Sequence, residues 1–193
     1  MSSPKRLVVG LSGASGAILG LRLLEVLAQT DEVETHLIVS PAARITISDE
    51  TGRSVKDVEA LADVVYQSQD VGAPIASGSF HTDGMVIIPC SIKTLSAVAN
   101  CYASDLLSRA ADVTLKEGRP LLLVVRETPL HVGHLKLMLQ AAEMGTIIFP
   151  PVPAFYARLS SIDEMVDNTV GRVLARLGVD NNLYTRWRGL GKE

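Results

Sequence analysis

With 193 residues, 47% of them hydrophobic, the chain can bury a full core without disulfides or a structural metal. Its net charge of -3 and the lack of any long basic tract exclude a dedicated nucleic-acid binder, whose affinity rests on clustered Lys and Arg. The longest uncharged N-terminal stretch, Leu7 to Leu21, carries four glycines, falls short of the roughly 20 apolar residues of a membrane span and has no signal-peptide arrangement, so a cytoplasmic protein with no membrane partner is expected.

Strand and helix patterns alternate along the whole chain, which predicts one domain over residues 1–193. Leu7 to Gly10 is a short apolar strand, followed by a glycine turn and the amphipathic Ile18 to Leu27. Thr35 to Val39 is the second strand, and Pro41 to Ile47 opens another helix. Ser54 to Val64 reads as a helix through Val55, Val58, Leu61 and Ala62. Met85 to Ile88 is a third buried strand, stopped by Pro89, and Ser91 to Lys116 is one long or broken helical region. Leu121 to Val125 reads as a strand buried on both faces, His134 to Met144 as a helix, Thr146 to Phe149 as a strand and Ser161 to Leu177 as the last helix. The expected fold class is α/β, a three-layer Rossmann or flavodoxin-like sandwich with a parallel sheet and right-handed crossovers.

In such a sheet, ligands sit outside the carboxyl ends of the strands. The first turn, Gly10-Leu11-Ser12-Gly13-Ala14-Ser15-Gly16, lets the backbone approach a phosphate at the N-terminus of the next helix; a plain tight turn is the structural alternative. The second strand ends Val39-Ser40-Pro41 with no acidic residue to hold a ribose, so a mononucleotide fits better than a dinucleotide. The third empties into Pro89-Cys90-Ser91-Ile92-Lys93-Thr94, where Ser91 can cap a helix and Thr94 lies in its first turn facing a ligand. Leu121 to Val125 ends in the charged pair Arg126-Glu127, with Pro129 closing the strand end.

Asp105, Arg109, Asp112 and Lys116 share one helical face, as either a solvated ion-pair ladder or a catalytic face. The proline-pinned Phe149 to Tyr156 loop holds its rings either as core packing or as a wall for an aromatic ligand or carbocation. His36, His81, His131 and His134 form no ligand set with carboxylate support, so no metal is expected, and His131 and His134 read as helix-start and packing residues. Cys90 and Cys101 read as free thiols, with no His or Asp close in sequence to activate Cys90 as a nucleophile.

Taken together, Gly13 to Gly16, Pro89 to Leu95, Arg109 to Glu117, Arg126 to Leu130 and Pro153 to Tyr156 resemble, in order and over nearly the whole chain, the UbiX-type flavin prenyltransferases. The resemblance implies a flavodoxin-like Rossmann fold, a homododecamer and transfer of a dimethylallyl group from dimethylallyl phosphate to N5 and C6 of reduced FMN, without metal. The prenylated FMN would serve a UbiD-type decarboxylase. FMN would meet Gly13, Ala14, Ser15, Ser40, Ser91, Ile92, Lys93, Thr94 and Arg126. The prenyl phosphate would meet Arg109, Lys116, Tyr156 and Arg172, with Glu127 and Glu50 as acid/base carboxylates and Trp187 closing the site. Two departures stand out: Ser12 where relatives often carry Thr, and Asn100-Cys101-Tyr102 in place of small residues. An FMN-dependent decarboxylase of the phosphopantothenoylcysteine class and a non-catalytic FMN carrier are the competing readings; paired cations suited to a leaving phosphate argue against both.

Overall fold

The computed structural model describes residues 3–189. Six strands form one all-parallel sheet: β1 (Lys5–Leu11), β2 (Val33–Val39), β3 (Val64–Tyr66), β4 (Gly84–Cys90), β5 (Leu121–Val125) and β6 (Ile147–Ile148), in the order β3-β2-β1-β4-β5-β6. The helices are α1 (Ala17–Leu27), α2 (Pro41–Thr51), α3 (Val55–Glu59), α4 (Ile92–Ala99), α5 (Leu106–Lys116), α6 (Val132–Glu143) and α7 (Ile162–Arg176). The expected three-layer sandwich is the observed architecture. One core, with Leu11, Leu23, Leu24, Val124 and Val170, joins the sheet to α1 and α7; the other, with Val8, Ile87, Leu95, Leu107 and Leu123, joins it to α4 and α5.

The run Leu121–Val125 is buried at every position, as an interior strand covered on both faces should be. Close packing at the middle of the sheet depends on glycine at α1: a Cβ at Gly20 would lie 2.5 Å from the Ile88 carbonyl oxygen.

Three expectations about elements need correction. The stretch Ser54 to Val64 is not one helix. A capping box at Ser54 and Asp57 starts α3, which ends at Glu59, and Val64 to Tyr66 pairs with His36 to Ile38 as an edge strand. Of the two readings of Ser91 to Lys116, long or broken, the broken one is observed, with Cys101 in the left-handed region at φ 52° between α4 and α5, and Asp105 capping the second helix. Pro89 does not stop the third strand: it lacks a ladder N–H, the register shifts between Ile87 and Cys90, and pairing resumes at Cys90 with Val125. Nor does Pro129 close β5, which ends four residues earlier at Val125.

A buried polar chain fastens the β3 edge. His36, 2% exposed, lies 2.9 Å from the Tyr66 hydroxyl through Nδ1 and 3.0 Å from Glu34 Oε1 through Nε2. Arg6 Nε donates to Glu34 Oε2 at 3.1 Å, and its guanidinium lies over the Phe80 ring. A neutral imidazole protonated on Nε2 satisfies every member: it donates to Glu34 and accepts from Tyr66. Burial holds His36 below the ordinary imidazole range, against the pull of Glu34.

Candidate active site

The strand order reverses between β1 and β4, since β2 and β3 are laid down to one side of β1 and β4 to β6 to the other, all strands running parallel. That is the switch point at which an open α/β sheet leaves a crevice beyond its carboxyl ends. The neighbouring strands β2, β1, β4 and β5 therefore bring Ser40, Gly13 to Ser15, Ser91 and Arg126 into one row, which chain order does not reveal.

Ser12 holds the row together. Its hydroxyl, 2% exposed, donates to the Pro89 carbonyl at 2.8 Å and accepts from the Ser91 N–H at 2.7 Å. Ser12 thus faces the interior and not a ligand. On either side, Ser40 N donates to Leu11 O and Arg126 N to Cys90 O, so each turn is tied to the strand beside it.

Ser91 caps α4 by accepting from Thr94 N, and the two hydroxyls lie 3.1 Å apart. Thr94 is largely buried in the first turn of α4, with its hydroxyl beside that of Ser91. Ser40 caps α2 in the same way through Ala43 N. The N–H groups of Gly13, Ala14, Ser15, Ile92 and Lys93 find no acceptor among the described residues. Such orphan donors at the ends of adjacent strands suit the oxygens of a phosphorylated ligand, and FMN fits them. Gly13 is needed for packing as well, because a Cβ there would lie 2.3 Å from Ala42 Cβ.

The first helix N-terminus does not point at a vacant anion site. Glu50, at the end of α2, places Oε2 2.8 Å from both Gly16 N and Ala17 N. Burial opposes its charge, but the Ala17, Ser15 and Gly16 hydrogen bonds and nearby Arg126 hold it below the usual carboxylate range. Glu50 is therefore a fixed anion beside the glycine turn. Glu127 is exposed, with a local bond from Thr128 N to its Oε1 at 3.0 Å. Its carboxylate is free to turn toward a ligand.

The late aromatics divide into two groups. Phe149 lies under the Arg172 guanidinium at 5.5 Å, and Tyr156 meets Trp187 edge-on at 5.5 Å while its hydroxyl donates to Thr185 O. Tyr156, Tyr184 and Trp187 line a hollow of about 520 Å³.

The Flavoprotein family model matches residues 1–174. The flavin prenyltransferase UbiX of Escherichia coli (strain K12) is 58% identical over 187 residues, covering 96% of this chain and 99% of that protein. The chain belongs to the UbiX flavin prenyltransferase family. The crystal structure of AnUbiX (PadA1) in complex with FMN and dimethylallyl pyrophosphate matches with a TM-score of 0.94 at 48% identity, covering 96% of this chain and 98% of that one. That of a dodecameric FMN-dependent UbiX-like decarboxylase from Escherichia coli O157:H7 matches with a TM-score of 0.93 at 49% identity, covering 95% and 100%.

Within this chain the expected flavin residues share one edge, whereas two expected catalytic cations are engaged elsewhere. Arg109 donates to Ala76 O at 3.1 Å and pairs with Asp112 at 2.8 Å. Lys116 ends α5, pairs with Glu117 and lies against Gly78. It is at the amino edge of the sheet, so the length of β5, roughly 17 Å at about 3.3 Å per residue, separates it from Arg126. The expected four-residue ladder is also corrected: Asp105 is a helix cap bonded to Ser108, and Lys116 pairs with Glu117 instead of Asp112. Cys90 is fully buried and burial pushes its thiol far above the ordinary range, which removes it as a nucleophile. His131 accepts from Gly133 N and caps α6, while the His131 and His134 rings lie against each other at a tilt of 35°, their centroids 3.6 Å apart. Among the described residues no helix is long and apolar enough to cross a membrane, and no three metal-ligating side chains come together.

Sequence reasoning missed the Ser12 clamp, whose partners lie 77 and 79 residues away. A buried serine ending a strand was its one local signal.

Proposed function

We propose that this chain joins the dimethylallyl group of dimethylallyl phosphate to N5 and C6 of reduced FMN, without a metal, and passes the product to a UbiD-type decarboxylase in the cytoplasm. The observation that carries the reading is the row of orphan N–H groups, serine hydroxyls and Arg126 at the switch point, bordered by the ionised Glu50. FMN supplies the nucleophilic ring positions.

Gly13 to Ser15, Ser40, Ser91 to Lys93 and Arg126 bind and orient it, and Thr94 holds Ser91 in place. The allylic C–O bond breaks with its electron pair leaving on phosphate, and fixed cations stabilise that charge better than water does. Arg109, Lys116 and Arg172 take this role, with Tyr156 and Trp187 excluding solvent. Bond formation at C6 releases a ring proton. Glu127 accepts it, and Glu50 holds the opposite charge steady beside the flavin ring.

The amino-edge position of Lys116 means that one chain does not complete this site. Apposition of a second copy, as in the dodecameric relative, supports a homo-oligomer, and we propose a dodecamer. The test is anaerobic incubation with reduced FMN and dimethylallyl phosphate, followed by mass analysis of the flavin. A flavin heavier by one prenyl group is expected; recovery of unmodified FMN alone would sink the proposal.

A further inference from the structure

Residues 181–189 follow α7 without regular structure, and none of their main-chain N–H groups reaches a main-chain carbonyl among the described residues. Yet this tail supplies every residue lining the hollow of about 520 Å³ except Tyr156. Contacts other than a backbone ladder must therefore seat it.

Asn181 provides them through its side chain. Its Nδ2 donates to Gly171 O at 3.0 Å and to Val179 O at 3.2 Å, while its Oδ1 accepts from Leu183 N at 3.2 Å. Both ends of the amide are used, one to hold α7 and the other to close a turn in the tail. Leu183 then packs against the core shared by the sheet, α1 and α7. The helix is shaped to receive this segment. Gly171 lies inside α7, where glycine is a poor helix former, and a Cβ there would lie 2.8 Å from Asn181 Oδ1, 2.9 Å from Leu183 Cβ and 3.1 Å from Tyr184 Cδ1. From this seat the tail runs to Thr185, whose carbonyl accepts from the Tyr156 hydroxyl, and to Trp187, which meets the Tyr156 ring edge-on.

We propose that Asn181 and Gly171 are positioning residues, which latch the tail to α7 and so set where Trp187 meets Tyr156 over the hollow. Asn181 borders the hollow, but its amide is already engaged, and it acts through the tail. The inference rests on the prenyl-transfer reading and adds to it the means by which the donor's surroundings are ordered before the donor arrives. A tail seated in advance removes part of the ordering cost of binding.

Trp187 is the chain's one tryptophan, so its fluorescence reports the tail alone. Acrylamide quenching is measured on the full chain for wild type, N181D and G171A, together with FMN affinity and with KM and kcat for dimethylallyl phosphate. N181D keeps an acceptor for Leu183 N but has no donor for Gly171 O, which separates the latch from the turn; G171A favours the helix itself and obstructs the seat. Both variants are expected to expose Trp187 to quenching. KM is expected to rise about five- to tenfold, the worth of one hydrogen bond, with kcat and FMN affinity retained. Wild-type quenching in N181D overturns the latch; should N181D fail to fold, G171A decides on the same readouts. Raised quenching with unchanged KM overturns the role in donor binding. If wild type turns over no donor, the prenyl-transfer reading fails, and the quenching series still decides the latch.

Discussion

Glu50 and Glu127 are both carboxylates beside the same crevice, and their surroundings give them different capacities. Glu50 accepts two backbone N–H bonds at 2.8 Å and is held ionised, so it is poorly suited to carry a proton through a cycle. Glu127 has only its neighbour's N–H and can reorient. Replacing Glu127 with Gln keeps its size and removes its basicity. The variant is expected to retain FMN affinity and to lose turnover by about 10²–10⁴-fold, the usual contribution of a general base. Flavin titration followed by anaerobic product analysis separates the two effects, and wild-type turnover in E127Q would remove the assignment. Glu50 itself was legible only through resemblance, because its partners are 33 and 34 residues away and no local pattern marks a carboxylate that caps a distant helix.

At the scale of elements, the packing of α1 across β4 and the fastening of β3 can each be tested. Gly20→Ala drives a Cβ to 2.5 Å from a backbone carbonyl that is held in the sheet, so the helix must move. A loss of about 1–3 kcal/mol in urea unfolding is expected, as for other overpacked sites. The β3 edge depends on neutral His36, whose folded pKa lies below the ordinary 6.5. The unfolded chain therefore takes up the proton first, and stability present above that value is lost as pH falls toward the folded pKa. Glu34, Tyr66 and Arg6 face the ring, and Asp63 acts from further away. Urea midpoints measured near about pH 7.5 and about pH 5.5 should fall more for wild type than for H36Q. Equal falls would show that His36 does not carry the effect.

The same elements show what sequence patterns convey. Five adjacent aliphatics from Leu121 to Val125 have only one good environment, and their strand was placed to the residue. Val64 to Tyr66 was absorbed into a helix because Val58, Leu61 and Ala62 continue a helical pattern up to it, and a three-residue edge strand has too little pattern of its own. Pro89 was read as a strand stop, but its missing N–H forbids one ladder bond and not a strand that shifts register and resumes. The serines at three strand ends were visible; their order in space was not, because strand neighbours are fixed by long-range packing.

For the whole molecule, the central fact is that Arg126 and Lys116 occupy opposite edges of one sheet. If a site takes Glu127 from one copy and Lys116 from another, two inactive variants can rescue each other. Chains carrying E127Q and K116A, each inactive alone, are expected to regain activity when co-assembled, with about one site in four intact under random mixing. Failure of mixed assemblies, shown by mass to contain both chains, would place the two residues in one copy or leave Lys116 outside the site.

The Ser12 clamp also bears on when the protein first becomes able to hold a ligand. It joins residues 79 apart, and Arg126 N reaches back to Cys90. During synthesis the crevice has no second wall until β4 has docked beside β1, and no cationic end until β5 has followed. A chain interrupted before β5 would carry the glycine turn, Ser40 and Ser91 and yet lack both that strand and the Arg126 cation that completes the row. Because the ligand favours only the finished arrangement, its uptake marks the end of folding and shifts the balance toward completed chains.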